Sequence, residues 1–299
     1  MDYVATLVAN PSRPIVDDAI MGAAVDALRA AGANRVEARI LAIGVAADIC
    51  FNSFDPAVAR ELIESALGRV AIDVSILPME GRRKKLLIAD MDSTIITVEC
   101  IDEIADFAGL KDKVAKITEA AMRGELDFVA ALKERAAMLE GLDEDVLERV
   151  FEERVRLTPG ARALIQTMNA SGAMTILVSG GFTFFTERVS ALAGFEINRA
   201  NRLEVKAGHL TGRVLDPIVD SATKLAFLQE FTKKRGLHIA ETLAVGDGAN
   251  DIPMIEAAGL GIAYHAKPKT AAAADVAIRH GDLTALLYIQ GFTAGEIID

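Results

Sequence analysis

Three apolar runs, LLIAD at 86–90, MTILVSGG at 174–181 and TLAVGDGAND at 242–251, each end in a polar turn, and nothing else in the chain limits the fold as tightly. None alternates apolar with polar residues, so each is predicted to be a strand covered on both faces, as parallel strands are. Such strands, separated by helical stretches, predict an α/β fold with a doubly wound parallel sheet. Ligands in these sheets sit beyond the carboxyl ends of the strands. All three polar turns fall there.

Between the first two runs, from about 99 to about 168, acidic and basic residues mix with Ala and Leu and no convincing strand intervenes. This predicts an inserted helical cap packed over the site. NRLEVKAGHLTGRV, with Gly208 and Gly212 around a polar centre, predicts a β-hairpin outside the parallel core. The first 80 residues read differently. Strand VATLVAN, a helix from about Val16 to Ala31, strands within VEARILAIGVAADICF, a helix around VARELIESALG and strand AIDVSILP make an α+β order, βαββαβ. Its two helices are expected to cover one face of an antiparallel sheet. The polar stretch MEGRRKKL separates the two regions, so domains are predicted at 1–80 and 81–299. Arg82, Arg83, Lys84 and Lys85 in that stretch are expected to be solvated linker charges rather than a phosphate site.

The stretch LLIADMDSTIITVECIDEIAD begins as a strand and ends as a helix, and at the changeover it delivers Asp90 and Asp92 two residues apart. Period-two geometry at a strand exit can point both toward one site. Each then raises the other's pKa unless a positive charge intervenes. A divalent cation is the simplest compensation, and oxygen ligands completed by water and phosphate suit Mg²⁺. GDGAND adds Asp247 and Asp251 at another strand end. Any one of these carboxylates can be read as a helix cap: Asp92 or Ser93 for the helix through Ile101, Asn250 or Asp251 for the helix through Ala257. Caps do not explain all of them together at successive strand ends. An ionised Asp can attack phosphorus and form an aspartyl-phosphate that water later hydrolyses. The second carboxyl can then serve as acid to the departing alcohol and base to the water, which requires environments that separate the two pKa values. VSGG offers Ser179 and the N–H groups of Gly180 and Gly181 to an anion. Lys224, in DSATKLAFLQE, lies between the second and third loops along the chain.

The formal net charge of -11 argues against broad binding to nucleic acid or anionic membrane, which would need basic surface. MDYVATLVANPSRP lacks the basic start and apolar core of a secretory signal, and no apolar run approaches the ~18 residues that span a bilayer. Cys50 and Cys100 imply no disulfide framework. A reducing cytoplasm is therefore the expected location.

DMDST at 90–94, SGG at 179–181, Lys224 and GDGAND at 246–251 resemble, in order, the four motifs of the haloacid dehalogenase superfamily of phosphatases. Within it, DMDSTIITVECIDEIAD, MRGELDF at 122–128, TPG at 158–160 and NRLEVKAGHLTG are similar to the phosphoserine phosphatases, over nearly all of residues 86–290. Met91 stands where many relatives carry Phe. The resemblance implies Asp90 as nucleophile and Asp92 as acid and base. It implies Mg²⁺ held by the Asp90 carboxylate, the Asp92 backbone carbonyl and Asp247, with Asp251 supporting the metal site. Ser179, Gly180 and Lys224 would bind the phosphoryl group, with Asn250 nearby. Glu99 would meet the substrate ammonium and Arg135 its carboxylate, while Met122 and Phe128 shield the site. The implied activity is hydrolysis of O-phospho-L-serine to L-serine and phosphate, the last step of L-serine biosynthesis. Transfer to another alcohol such as homoserine, hydrolysis of another small phosphomonoester, and a non-catalytic amino-acid-binding module are the other readings. The N-terminal βαββαβ order resembles ACT-like domains. That resemblance implies a homodimer more than a ligand site, since NPSRP and not a glycine-rich turn follows the first strand.

Overall fold

The computed structural model describes residues 2–52 and 54–298. The chain forms two compact units, one made of Met1–Lys84 with Ile278–Asp299 and the other of Lys85–Ala277.

In the first unit, β1 (Tyr3–Ala9), α1 (Asp18–Ala30), β2 (Asn34–Ala42), β3 (Ala46–Asn52), α2 (Pro56–Leu67) and β4 (Ile72–Pro78) follow the βαββαβ order read from the sequence. The sheet order is β2-β3-β1-β4, with each neighbouring pair antiparallel. Asp17 caps α1 by accepting the Ile20 N–H, and Met21, Ala24, Val25 and Leu28 form its buried stripe. Asp55 caps α2, Pro56 fits its first turn, and Gly68 ends it at φ 65. Those stripes bury against Leu7, Ile49, Phe51, Val74 and Ile76, one alternating face of the sheet.

The opposite face carries Thr6, Asp48, Asp73 and Ser75, all buried. Here the chain departs from the sequence reading. Arg82, expected to be solvated, is 7% exposed. Its guanidinium forks onto Asp48, Nη1 to Oδ2 at 2.9 Å and Nη2 to Oδ1 at 3.0 Å, and it also donates to the carbonyls of Tyr288 and Ile289. Asp73 accepts the N–H groups of Arg279, His280 and Gly281. Arg83 pairs with Glu296 at 2.7 Å and lies over the Phe292 ring. The sequence division assigned the last residues to the second domain, but these bonds join 278–299 to the first unit. A polar run looks like a linker until its partners, distant in sequence, are present to bury it.

In the second unit, β5 (Leu86–Ala89) is central. It is followed by α3 (Cys100–Phe107), α4 (Lys111–Met122), α5 (Phe128–Ala137), α6 (Asp145–Glu153) and α7 (Ala161–Ala170). Then come β6 (Met174–Phe182), α8 (Thr183–Ala193), β7 (Ile197–Lys206), β8 (His209–Leu215), α9 (Ser221–Lys234), β9 (Thr242–Gly246), α10 (Ile252–Ala257), β10 (Gly261–Tyr264), α11 (Pro268–Ala273) and β11 (Val276–Ile278). The seven-stranded sheet runs β11-β10-β9-β5-β6-β7-β8. It is parallel from β10 to β7, and β8 is antiparallel to β7. The chain turns one way from β5 to β6 and later the other way to β9, which makes the carboxyl end of β5 a switch point.

Two expectations are adjusted. The hairpin forms, with Ala207 and Gly208 at positive φ in its turn, but β7 also extends the parallel sheet. The predicted cap, about 99–168, includes α7, which packs against β6 and α8 as a crossover helix. The cap helices are therefore α3 to α6. They enter and leave through a two-stranded neck, where Thr97 N–H donates to Arg156 O at 3.1 Å and Thr158 N–H to Ile95 O at 2.9 Å. No helix among the described residues is long and apolar enough to cross a membrane.

Replacing Arg82 by Met is expected to destabilise the first unit by about 3 kcal/mol, because a buried Asp48 is left without its fork. Urea denaturation of the full chain, followed by circular dichroism, checks this; a loss under about 1 kcal/mol would contradict the buried pair's role.

Candidate active site

The strand β5 stops at Ala89, and Met91–Ile95 form one wide turn closed by Ile96 N–H on Met91 O at 3.0 Å. Ser93 takes φ 55 inside it. Asp90 and Asp92 thus converge through a turn and not through strand alternation, which corrects the period-two expectation. Their carboxylates face different partners. Asp90 Oδ1 accepts the Met91 N–H at 2.8 Å and the Lys224 ammonium at 2.7 Å. Asp92 accepts the Cys100 N–H at 2.9 Å and the Ser179 hydroxyl at 3.1 Å. The first of these is the leading N–H of α3, so Asp92 does bond a helix start, across the insertion neck rather than from the cap position.

Lys224, fully buried on α9, bridges Asp90 and Asp251, with Nζ 2.7 Å from Oδ1 of each. Asp251 Oδ2 in turn accepts the N–H groups of Asp247 and Gly248, both at 3.1 Å. Asp247 Oδ1 accepts the Thr94 hydroxyl at 3.0 Å. Asp90, Asp247 and Asp251 each place one carboxylate oxygen within 4.8 Å of the others. The glycines here are sterically required. A Cβ on Gly246 would lie 2.4 Å from the Asp251 carboxyl, and one on Gly181 would lie 2.7 Å from Asp92 Oδ2.

The electrostatics express an excess of negative charge. Burial, then the Asp251 charge, raises Asp90 to about 8 even though Lys224 pulls the other way. Burial also raises Asp92, against the hydrogen bonds from Cys100 and Ser179. Burial, Glu99 and Asp251 push Asp247 well above the carboxylate range. Burial disfavours the Lys224 ammonium, but Asp251 and Asp90 outweigh it and raise its pKa. One ammonium among these carboxylates undercompensates them, so the donor set fits a hard divalent cation. Asp251 already serves Lys224 and two N–H groups. The bonds to Asp90 and Asp247 engage Oδ1 of each, which suits those two better as direct ligands.

Asp90, Asp92, Glu99, Met122, Phe128, Arg135, Ser179, Gly180 and Asn250 line one pocket between cap and sheet. Lys224, Asp247 and Asp251 lie beneath it, tied to Asp90 as described. Ser179 accepts the Gly181 N–H at 2.8 Å. Gly180 has no room for a side chain, since a Cβ would meet the Phe128 ring at 2.5 Å, and the Met122 methyl would lie 3.6 Å from a Cβ on Gly248. Phe128 and Met122 thus bring the cap down on the end of β6 and the loop that follows β9. Burial and then the Asp92 charge raise Glu99 to about 8, although the Ser93 hydroxyl donates to it. Arg135 is 5% exposed, and burial lowers its pKa.

Several supporting residues went unassigned in the sequence reading. Thr94 orients Asp247. Thr118, also in the pocket, sits between Arg135 and Asp102. Asn201, fully buried on β7, donates to Gly180 O at 2.8 Å and accepts the Val219 N–H at 2.6 Å, fixing the glycine turn. Thr94 was visible within DMDST and Asn201 at the start of NRLEVKAGHLTG, whereas Thr118 carries no local signal because its partners lie on other elements.

The chain matches the haloacid dehalogenase-like hydrolase family over residues 87–256. A phosphoserine phosphatase of Polaromonas sp. is 48% identical over 208 residues, 68% of this chain and 88% of that protein. A phosphoserine phosphatase of Streptomyces coelicolor is 42% identical over 240 residues, 80% of this chain; the aligned part spans 58% of that longer relative. A solved structure described as a phospho-aspartyl intermediate analogue of phosphoserine phosphatase superposes with a TM-score of 0.66 at 39% identity, covering 69% of this chain and 98% of the other.

Asp90 and Glu99 hold their protons more tightly folded than unfolded, since burial raises both from 3.8 and 4.5 to about 8. Stabilisation from a raised folded pKa is complete below the unfolded values and is lost as pH rises through about 8. In chelator, the melting temperature is therefore expected to fall between about pH 5 and about pH 8.5, and Mg²⁺ is expected to recover it most at the upper end. A melting temperature that climbs with pH in chelator would contradict this balance.

Proposed function

The chain belongs to the haloacid dehalogenase-like hydrolases, and from that premise we propose that it is a Mg²⁺-dependent phosphatase converting O-phospho-L-serine to L-serine and phosphate, the closing step of L-serine biosynthesis. The observation that carries this reading is one pocket that holds Glu99 and Arg135 from the cap together with Asp90, Asp92 and Ser179 from the sheet; a substrate ammonium beside Glu99 would restore the charge that burial suppresses there. Serine phosphate without its phosphoryl group is a zwitterion. A carboxylate for the ammonium and a guanidinium for the carboxylate are the complementary pair, and Arg suits a carboxylate better than Lys does.

In this mechanism an Asp90 oxygen attacks phosphorus and the bond to the serine oxygen breaks. Asp92, whose pKa burial raises, is suited to hold a proton and pass it to that leaving oxygen. It then takes a proton from the water that attacks phospho-Asp90, which releases phosphate. Lys224, the Ser179 hydroxyl and the Gly180 N–H balance charge on the phosphoryl oxygens, with Asn250 beside them. Mg²⁺, when bound by Asp90, Asp247 and the Asp92 carbonyl with Asp251 behind them, would neutralise the transferring oxygens and favour the ionised nucleophile. Phe128 and Met122 exclude water during transfer, and the cap must open to admit it afterward. A cytoplasmic location, supported by two free buried cysteines, and a homodimer through the edge strand β2, with Ile40 51% exposed, belong to the same proposal.

Purified protein is expected to release phosphate from phosphoserine with Mg²⁺ and to stop on chelation. Asp90→Asn should lower turnover by roughly ten-thousand-fold. Turnover by the Asn variant would defeat the covalent mechanism. Diversion of label into phosphohomoserine when homoserine is added would shift the reading to phosphoryl transfer.

A further inference from the structure

Arg135 is a long side chain from α5, and unpaired it would sample many rotamers. The structure holds it from two sides. Nε donates to Ala131 O, one turn back on its own helix, at 3.1 Å. Nη1 donates to the Thr118 hydroxyl of α4 at 2.9 Å. That hydroxyl in turn lies 2.6 Å from Asp102 Oδ1, on α3. Three cap helices thus meet at one hydroxyl. Thr118 is 2% exposed, Arg135 5% and Asp102 8%, so water does not compete strongly for these bonds.

The chain of bonds has a fixed direction. A guanidinium only donates and a carboxylate only accepts, whereas a hydroxyl does both. With its proton turned to Asp102, Thr118 must present a lone pair to Arg135. Val114 O, 3.1 Å from the same hydroxyl, is the more distant acceptor. The guanidinium is left with the remaining N–H groups of Nη1 and Nη2, a pair with the fork spacing that matches a carboxylate. Glu99, Asp102 and Asp92 surround Arg135 electrostatically. Of these, Asp102 is the one joined to it through a hydroxyl.

We propose that Thr118, backed by Asp102, is the positioning residue that aims the Arg135 fork, and that it thereby sets selectivity for substrates carrying an α-carboxylate. This deepens the reading of the pocket as a phosphoserine site and rests on it. Thr118 touches neither the phosphoryl group nor the nucleophile, so its loss weakens recognition of the amino-acid end and spares the chemistry at phosphorus.

The test uses the full chain with Mg²⁺ and three forms: wild type, Thr118→Val, which keeps the shape but not the hydroxyl, and Thr118→Ser, which restores it. For phosphoserine, Thr118→Val is expected to raise KM about tenfold with kcat within about twofold, and Thr118→Ser to return KM to within about twofold of wild type. The inhibition constant of inorganic phosphate, which lacks a carboxylate, should stay within about twofold in all three. A KM unchanged in the Val variant overturns the inference. So does a rise in the phosphate inhibition constant parallel to KM, or a Ser variant as impaired as Val, because each indicates a general packing role. Wild-type protein inert toward phosphoserine overturns the functional reading and this inference with it, a result distinct from the others.

Discussion

The Lys224 ammonium, held at 2.7 Å by Asp90 and by Asp251, is the contact on which the second unit's acidic centre depends. It ties the end of β5, the helix α9 and the loop after β9 to a single buried point. Removing an ammonium or a carboxylate from water costs several kcal/mol per ion, and only close pairing with further hydrogen bonds offsets it. The arrangement meets that condition. Asp251 spends its second oxygen on two backbone N–H groups, and Asp90 accepts the Met91 N–H as well. Compensation is still incomplete, and the raised pKa values of Asp90, Asp92 and Asp247 are its signature. A site left short of positive charge is ready for a cation and for little else of its size.

The same crowding explains why glycine stands where it does. Gly246 and Gly181 lie so close to carboxylates, and Gly180 so close to Phe128, that any side chain would displace them. Cap and sheet meet through these contacts over a pocket, while the chain joins them by a short neck. The cap loop also bonds the hairpin, Gly141 N–H to Leu210 O at 2.9 Å and Leu210 N–H to Leu142 O at 2.8 Å, so the β8 edge is covered rather than exposed.

Much of the site was legible because its signals are local. Asp90, Asp92, Ser179, Gly180, Asp247 and Asp251 each lie at or just beyond the end of an apolar run, so the strand announces the loop. Glu99, Met122, Phe128 and Arg135 were legible through the resemblance alone; on a helix, a charged or apolar residue looks the same whether it faces a pocket or not. Thr118 had no such help, and Asp102 and Asn201, although they lie inside stretches that carry the resemblance, received no role from it. Their meaning lies in bonds to residues on other elements, and a threonine inside KDKVAKITEAAM carries no mark of them. Arg82 misled for the same reason, since four consecutive basic residues look solvated until Asp48 and the carbonyls of Tyr288 and Ile289 appear around one of them.

The sequence by itself determined the parallel strands, the two-part order and the acidic character of the centre, because strand burial on both faces and polar strand ends are written in consecutive residues. Tertiary structure alone decided which unit the last residues join, how Asp90 and Asp92 divide their partners, and which hydroxyl holds Arg135. Those outcomes depend on hydrogen bonds and ion pairs between groups distant in the chain, whose worth arises only after packing has excluded water from around them.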